Sequence, residues 1–208
     1  MQDKKAVAII GYSGHSFVVL DAAKQMGLDV KYYCERNQVS CNPFGLHCLG
    51  DEGSASFDWD STDEFILGIG NNKIRQKVAA LIVSKKKSLL NVIHPSAIIS
   101  KYATFGKGNF FAANVVVNAL AKIADHCILN TGCIVEHECV IHNGVHLGPG
   151  AVLAGNVSAG ENSFIGANSV IKQGVSIGRG VIVGAGSVVV KNIPDHEIWV
   201  GNPAGRLD

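Results

Sequence analysis

The 208-residue chain lacks the features that mark several classes of protein. Its formal charge is only +1, so it has no basic excess of the kind that binds nucleic acid or an anionic membrane. No apolar stretch reaches the roughly 18 residues of a membrane-spanning helix, and the apolar run at 6–10 is too short for the core of a signal peptide. We therefore expect a cytoplasmic protein that binds neither nucleic acid nor membrane.

The chain also lacks any C-x-x-C pair among its six cysteines. Cys34, Cys41 and Cys48 follow one another at intervals of seven, with His47 adjacent, which leaves a zinc site as the alternative to buried or loop thiols. A chain of this length buries a core without disulfides, and nothing marks it as secreted. We expect reduced thiols and no metal.

The first part of the chain alternates strand and helix patterns. Apolar runs predict strands at 6–10, 29–35 and 64–70, and helical spacing predicts helices at 15–27 and 71–87, the second with Ile74, Val78 and Leu81 on one face. Residues 36–60 are rich in loop signals. This alternation predicts a small parallel α/β unit.

From Ile93 onward, the helical spacing gives way to a period of six. Every sixth residue from Ile93 to Val189 is apolar without a break, and a second column, four residues later, is mostly small or β-branched. Frequent Gly and Asn fit tight turns that require positive φ. The pattern predicts a hexapeptide β-helix, a triangular prism of about six coils with three short strands each. We place the two domains at 1–89 and 90–208, the second including a C-terminal tail.

The stretch "VEHECVIHNGVH" at 135–146 raises the question of a metal or catalytic site. In the repeat register, Cys139 points inward like Cys127 and Cys133, and the three histidines fall on different sides or corners, so they cannot converge on one metal within one subunit. His137 lies near a corner, next to two carboxylates. From spacing alone, it is either a solvated surface histidine or a general base for acyl transfer.

Motifs in both halves resemble one family of enzymes. These are the hexapeptide series, "GYSGHSFVVLDAAKQMG" with "GIGNNKIRQKV", "ILNTGCIVEHECVI" and the C-terminal "IPDHEIWVGNPAGRL". Together they resemble the sialic-acid O-acetyltransferase and sugar N-acetyltransferase family, most of all its bacillosamine-type enzymes. The resemblance implies a Rossmann-like N-terminal domain, a left-handed β-helix, a homotrimer, and acetyl-CoA as co-substrate bound along the groove between neighbouring prisms.

The resemblance also implies roles for particular residues of the β-helix. His137 would be the general base, with Glu138 or Glu136 orienting it, and Asn130 would lie near the sugar. The acyl donor would be bound by residues that include a second histidine and small residues: His146, Gly155, Ala167 and Ala185. Gly155 follows His137 by one coil and would donate its backbone N–H near the thioester, although an ordinary turn glycine fits the same position.

In the N-terminal half, "GYSGH" lacks the spacing of the dinucleotide fingerprint, but a glycine-rich turn before a helix still suits phosphates. The resemblance implies that a nucleotide sugar is bound there by residues from three turns: Tyr12, Ser13, Gly14, His15, Glu35, Gly70, Asn71 and Asn72. A surface position at the start of the helix is the other interpretation of His15.

These features predict an N-acetyltransferase that acts on the 4-amino group of a nucleotide-linked 4-amino-4,6-dideoxy sugar, with UDP as the expected nucleotide, for surface glycan or glycoprotein synthesis. Two alternatives stay open. One is O-acetylation of a sialic-acid-type sugar by the same residues, and the other is a trimer that binds nucleotide sugars without catalysis.

Overall fold

The computed structural model describes residues 6–37 and 39–207, which form two consecutive units. The first unit is a parallel sheet in the order β3-β2-β1-β4-β5, with helices between strands. Its elements are β1 (Val7–Ile10), α1 (Gly14–Gln25), β2 (Val30–Cys34), β3 (His47–Gly50), a 3₁₀ turn (Trp59–Ser61), β4 (Glu64–Leu67), α2 (Asn72–Ser84) and β5 (Ser88–Leu89).

Two strands of this sheet were not predicted. The stretch 36–60 was predicted to be loop-rich, yet β3 pairs there with β2 at the edge of the sheet. Its four residues are exposed or half-buried and form no apolar run. β5 has only two residues, too few for a periodic signal.

The buried face of α2 also differs from the prediction. Val78 is buried as expected, but Ile74 is 54% exposed and Arg75 is buried. Ile74 and Arg75 are neighbours on α2, and a rotation of the helix that buried Ile74 would expose Arg75. The packing of α2 against the β-helix, and not its apolar pattern, therefore decides which face is buried.

The second unit is a parallel β-helix with three faces. The first face contains Val92–Ile93, Phe110–Phe111, Ile128–Leu129, His146–Leu147, Phe164–Ile165, Ile182–Val183, Ile198–Gly201 and Ala204–Arg206. The second face contains Ile98–Ile99, Val116–Val117, Ile134–Val135, Val152–Leu153, Val170–Ile171 and Val188–Val189. The third face contains Thr104–Phe105, Lys122–Ile123, Val140–Ile141, Ser158–Ala159 and Ser176–Ile177. We call the turns after these faces the first, second and third corners.

The inward columns are as the repeat predicts. The second residue of each strand points into the prism, and these residues are buried from Phe111 to Val189, whereas Phe105 in the incomplete first coil is 40% exposed. Cys127, Cys133 and Cys139 are fully buried, one at each corner. The predicted fold class, an α/β unit followed by a hexapeptide β-helix, is therefore confirmed.

The corners account for the abundance of glycine and asparagine. At the second corner, Glu138, Asn156 and Gly174 stack one coil apart, with φ of 61°, 57° and 73°. Glycine accepts this left-handed conformation freely and asparagine with little cost, but glutamate rarely adopts it. Glu138 is thus held in an unfavourable conformation.

The first sheet ends at Leu89 and the β-helix begins at Val92. The division into domains at 1–89 and 90–208 stays a prediction. Within the described ranges, no helix is both long and apolar enough to cross a membrane. The cytoplasmic location likewise stays a prediction.

Candidate active site

His137 lies at the second corner in contact with one carboxylate. Its Nδ1 is 3.1 Å from Glu138 Oε2, and both side chains are about half exposed, at 51% and 58%. Glu136 turns away and accepts a hydrogen bond from Asn118 Nδ2 at 2.9 Å. Of the two carboxylates that flank His137 in sequence, Glu138 is therefore the one that contacts the ring.

Gly155 lies under the His137 ring, one coil further along. A Cβ at this position would be 2.4 Å from His137 Cε1 and 2.5 Å from Nε2, so only glycine lets the ring lie here. The next residue, Asn156, donates its N–H to the His137 carbonyl at 2.9 Å. Among the described residues, the Gly155 N–H itself has no hydrogen-bond acceptor.

His146 lies on the first face, beneath the N-terminal unit, and is 8% exposed. Its Nδ1 is 3.3 Å from the Gly70 carbonyl and its Nε2 is 3.4 Å from Asn130 Nδ2. His15 lies nearby, with ring centroids 6.0 Å apart, and its buried Nε2 has no partner among the described residues. Three of the predicted residues, His15, Gly70 and Asn130, thus surround His146.

Both of these histidines are held neutral. Burial, followed by the charge of Arg75 and the neighbouring His15, lowers the pKa of His146 to about 4. Burial, followed by the charge of Arg75, lowers the pKa of His15 to about 4 as well. A charged imidazole is disfavoured when water is excluded and a cation is close.

A cleft of about 320 Å³ opens at the carboxyl ends of β1, β2 and β4. It lies where the strand order reverses between β1 and β4, which is where ligands bind in open α/β sheets. Ser13, Glu35 and Gly70 line it. Gly14 begins α1 beside it, so the first N–H groups of that helix are close to the cleft.

Tyr12 takes a different position from the other residues of its turn. Its ring is buried and stacks on Tyr33, with centroids 4.2 Å apart, and its hydroxyl is hydrogen-bonded to Asn42 Oδ1. Its backbone N–H donates to Glu35 Oε2 at 3.2 Å. Tyr12 therefore supports the cleft and fixes Glu35, with its own side chain packed in the core.

Asn71 and Asn72, on the turn after β4, make structural contacts. Asn71 Oδ1 accepts the N–H of Ile74 at 3.1 Å and so caps α2. Asn72 Nδ2 donates to the carbonyls of Asn162 and Ser163, at 3.0 and 3.1 Å, and ties this turn to the third corner. Beside it, a groove of about 900 Å³ runs between the start of α2 and the β-helix.

Arg75 is a residue of this region that the sequence did not indicate. It is 1% exposed and its guanidinium donates to oxygens of both units. A lone arginine in "NNKIRQKV" reads as part of a solvated helix face, because charged residues are rarely fully buried. Its burial becomes visible only when the two units are seen packed against each other.

Ala167 and Ala185 stack one coil apart at the first corner. The stacking is tight, since a Cβ on Gly166 would be 2.5 Å from the Ala185 backbone nitrogen. Because the side chains here are small, they leave space at the surface of the corner for a ligand that runs along it.

Two groups of predicted residues remain apart within one chain. His137, Glu138 and Gly155 lie at the second corner, whereas Asn130, Ala167 and Ala185 lie at the first corner. The whole second face separates them, because its strands, such as Ile134–Val135, connect the two corners.

No three His, Cys, Asp or Glu side chains in 6–37 and 39–207 are placed to hold a metal ion. Cys34 is buried and burial raises its pKa, whereas Cys41 and Cys48 are exposed. These thiols are all free.

Three sequence families match parts of the chain. Residues 6–82 match the PglD N-terminal domain, residues 120–155 match the bacterial transferase hexapeptide family of six repeats, and residues 156–191 match the hexapeptide repeat of succinyl-transferase. A curated relative, the UDP-N-acetylbacillosamine N-acetyltransferase of Bacillus subtilis (strain 168), is 41% identical over 49 residues. That alignment covers 24% of this chain and only 23% of the relative.

Solved structures match almost the whole chain. One is a histidine-to-alanine mutant of GDP-perosamine N-acetyl transferase from Caulobacter crescentus in complex with CoA and GDP-perosamine, with a TM-score of 0.90, 34% identity, and coverage of 98% of this chain and 97% of that one. Another is the acetyltransferase domain of PglB from Neisseria gonorrhoeae FA1090 in complex with acetyl coenzyme A, with a TM-score of 0.92, 32% identity, and coverage of 98% and 100%.

Proposed function

Because this chain belongs to the hexapeptide-repeat sugar N-acetyltransferases, we propose that it transfers the acetyl group of acetyl-CoA to the 4-amino group of a nucleotide-linked 4-amino-4,6-dideoxy sugar. UDP is the nucleotide that we propose. The relatives include one that acts on a UDP-linked sugar and one that binds GDP-perosamine, so the nucleotide is the part of the proposal that most needs a test.

The observation that carries this proposal is the contact of His137 with Glu138 above Gly155. Glu138 Oε2 accepts a hydrogen bond from the Nδ1–H of His137, which leaves Nε2 without a proton and able to act as a base. The neutral sugar amine attacks the thioester carbonyl carbon, and His137 Nε2 removes a proton from the amine nitrogen. The imidazolium that forms is stabilised by Glu138.

Gly155 supplies the second element of the mechanism. Its N–H, which has no acceptor among the described residues, donates to the oxygen of the tetrahedral intermediate. The intermediate then collapses, the carbon–sulfur bond breaks, and CoA leaves as the thiolate, which takes the proton held by His137 and returns the ring to its neutral form. Each step conserves charge without a further reactant.

We propose direct transfer between the two substrates. The thiol of Cys139, two positions after His137 in the sequence, points into the prism and is fully buried, and burial raises its pKa. A buried thiol of raised pKa is a poor nucleophile, so an acetyl-enzyme on Cys139 is not part of the mechanism.

The nucleotide sugar is proposed to bind in the cleft at the ends of β1, β2 and β4. Ser13, Gly14 and the first turn of α1 offer N–H groups for phosphate oxygens, and Glu35 is held in place by the Tyr12 N–H. Gly70 lines both this cleft and the larger groove beside α2, so the two cavities adjoin at this residue.

A homotrimer is proposed because the two halves of the site lie on opposite edges of the second face. The outward residues of that face are all β-branched and apolar, whereas those of the third face include Thr, Lys and Ser: Ile98, Val116, Ile134, Val152, Val170 and Val188 against Thr104, Lys122, Val140, Ser158 and Ser176. If the second faces pack around a threefold axis, the second corner of one copy meets the first corner of the next.

The function is tested by release of free CoA thiol from acetyl-CoA. The acceptors are UDP-, dTDP- and GDP-linked 4-amino-4,6-dideoxy sugars, and sialic acid, each with wild type, His137→Ala and the exposed-histidine control His142→Ala. Release with one 4-amino nucleotide sugar that is lost only in His137→Ala supports the proposal. Release with sialic acid alone supports O-acetylation, and binding of nucleotide sugar without release from any acceptor supports a non-catalytic trimer.

The shared site is tested by complementation. We expect His137→Ala and Ala185→Arg, each inactive alone, to regain activity when the two chains are co-expressed. In randomly mixed trimers, about a quarter of the sites combine an intact second corner with an intact first corner. The shared site is wrong if mixed trimers form but stay as inactive as the parents.

A further inference from the structure

Among the residues that the structure describes, Arg75 is a buried cation with no carboxylate partner. Its Nε donates to the His126 carbonyl at 2.9 Å, and its Nη2 donates to the Gly144 carbonyl at 2.8 Å and to Asn72 Oδ1 at 2.9 Å. Its Nη1 donates to the carbonyls of Ile69 and Gly70, both at 3.1 Å. Within the described residues, these uncharged oxygens surround the guanidinium.

Such an arrangement is unusual enough to need a reason. Burying a charge is costly. An apolar residue of similar volume would avoid that cost but would leave the five oxygens without this donor, whereas a neutral donor would satisfy some of them without a buried charge. The five acceptors satisfy the donors of the guanidinium but do not neutralise it. Retaining a full positive charge at this position therefore points to a role beyond packing.

The Gly70 carbonyl connects this charge to His146. The same oxygen that accepts from Arg75 Nη1 lies 3.3 Å from His146 Nδ1. A carbonyl oxygen can only accept, so the hydrogen must be on Nδ1 and the lone pair of the neutral ring must be on Nε2.

The far side of the ring agrees with this assignment. His146 Nε2 is 3.4 Å from Asn130 Nδ2, an amide nitrogen that can only donate. The orientation of Asn130 is fixed in turn, because its Oδ1 accepts the N–H of Thr131 at 2.8 Å. Donors and acceptors therefore alternate along one chain of contacts from Arg75 to Thr131.

We propose that Arg75 is a positioning residue, which fixes the Gly70 carbonyl and thereby holds His146 as the Nδ1-protonated tautomer with Nε2 as a permanent hydrogen-bond acceptor. The charge of Arg75 opposes protonation of the ring, in keeping with the lowered pKa of His146. His15, the other titratable group facing His146, is itself neutral. Asn130 Nδ2 faces the lone pair of His146 Nε2 at 3.4 Å, and an amide N–H, hydroxyl or thiol donor of a substrate would take its place. The use of this acceptor in the reaction rests on the proposed function, but the tautomer does not.

The tautomer is tested by NMR of the full-length protein labelled with ¹⁵N-histidine. The His146 signals are assigned as those missing from His146→Gln. In wild type, we expect a protonated-type shift for Nδ1 and a bare-type shift for Nε2. The opposite pattern in wild type would overturn the proposal without any Arg75 variant.

Arg75→Met and Arg75→Lys then test the cause. Arg75→Met removes the charge and the donors, and lysine keeps the charge but cannot reach the same set of oxygens. We expect both to move the His146 shifts toward a mixture of tautomers, and Lys77→Met, an exposed change on the same helix, to leave them unchanged. Unaltered shifts in a folded Arg75 variant would contradict the proposal.

Measurements of enzyme activity distinguish a positioning role of Arg75 from a role in stability alone. At temperatures well below its melting temperature, we expect Arg75→Met to lower kcat by about tenfold, because a residue that acts through His146 contributes no more to the rate than His146 itself. Millimolar guanidinium should partly restore the rate of Arg75→Ala, which leaves a cavity for it. Lower activity with unchanged His146 shifts would overturn the proposal, and a wild type inactive on every acceptor would instead refute the proposed function.

Discussion

Two histidines nine positions apart in the sequence occupy opposite kinds of environment. His137 is half exposed at a corner and pairs with a carboxylate, whereas His146 is buried between two units and faces a guanidinium through one carbonyl. The imidazole of His137 therefore has an acidic partner, whereas the imidazole of His146 has a basic neighbour.

The difference assigns different chemistry to the two rings. A carboxylate stabilises an imidazolium, so His137 can take a proton during a reaction. A buried cation disfavours an imidazolium, so His146 can accept a hydrogen bond but does not take up the proton. We therefore expect the His137 ring to transfer protons and the His146 ring to hold a substrate group in a fixed position.

The largest effect is expected from replacing each histidine by glutamine. His137→Gln should lower kcat/KM about 1000-fold, because glutamine cannot remove a proton at neutral pH. His146→Gln should cost about tenfold, because its amide oxygen can still accept a hydrogen bond. Steady-state thiol release on both variants checks this, and equal losses would remove the distinction between the two rings.

Gly155→Ala should have the next largest effect. Its Cβ would be 2.4 Å from the His137 ring, so the ring must shift and its contact with Glu138 would be disturbed. We expect kcat to fall about 100-fold because misplacement of a catalytic group by about 1 Å has consequences of this size. Gly205→Ala, at a site with open space around the added carbon, is the control. Near-normal kcat in folded Gly155→Ala would show that His137 tolerates displacement.

The buried environment of His146 should appear as a loss of stability in acid. Its pKa is about 4 in the folded protein and about 6.5 when unfolded, so the unfolded state binds more protons between these values and stability falls as pH decreases through that window. Between about pH 7 and about pH 5, this costs about 2 kcal/mol per chain.

His146→Gln should remove that part of the acid sensitivity. At fixed protein concentration, its melting temperature should fall several degrees less than that of wild type between those pH values. The control is His142→Ala, which removes an exposed histidine. An identical pH dependence in wild type and His146→Gln would contradict the burial of this ring in solution.

The smallest effect concerns Glu138, whose φ is 61°. Glu138→Asn should raise the free energy of unfolding by about 0.5 kcal/mol, because asparagine tolerates the left-handed conformation better. The same change should lower kcat about tenfold by removing the carboxylate from His137. Thermal unfolding and thiol release on one preparation test both. Lower stability together with unchanged kcat would mean that Glu138 has no functional reason to be at this corner.

Much of the β-helix could be predicted because its order is local. The period of six placed the apolar columns, the cysteines and the one-coil relation between His137 and Gly155, since each depends only on the repeat. The sequence could not show which of Glu136 and Glu138 contacts His137. That choice depends on the geometry of the corner, where the alternation of side chains along a strand does not apply.

The contacts between the two units could not be predicted. The burial of His146 and Arg75 depends on how α2 packs on the first face and third corner, and residues 50 or more positions apart meet there. The sequence pattern suggested Ile74 for the buried side of α2, although that residue is 54% exposed. Long-range packing decided both points.

The interface that α2 forms with the β-helix has a consequence for how such proteins can be recombined. Arg75 and Asn72 bind main-chain carbonyls of the β-helix, at His126, Gly144 and Asn162 among others, and these oxygens are present whatever side chains the coils carry. An N-terminal unit that keeps this arginine and asparagine should therefore dock on the coils of a different relative. Exchanging these units between relatives is a direct way to pair a new sugar preference with an existing transfer site.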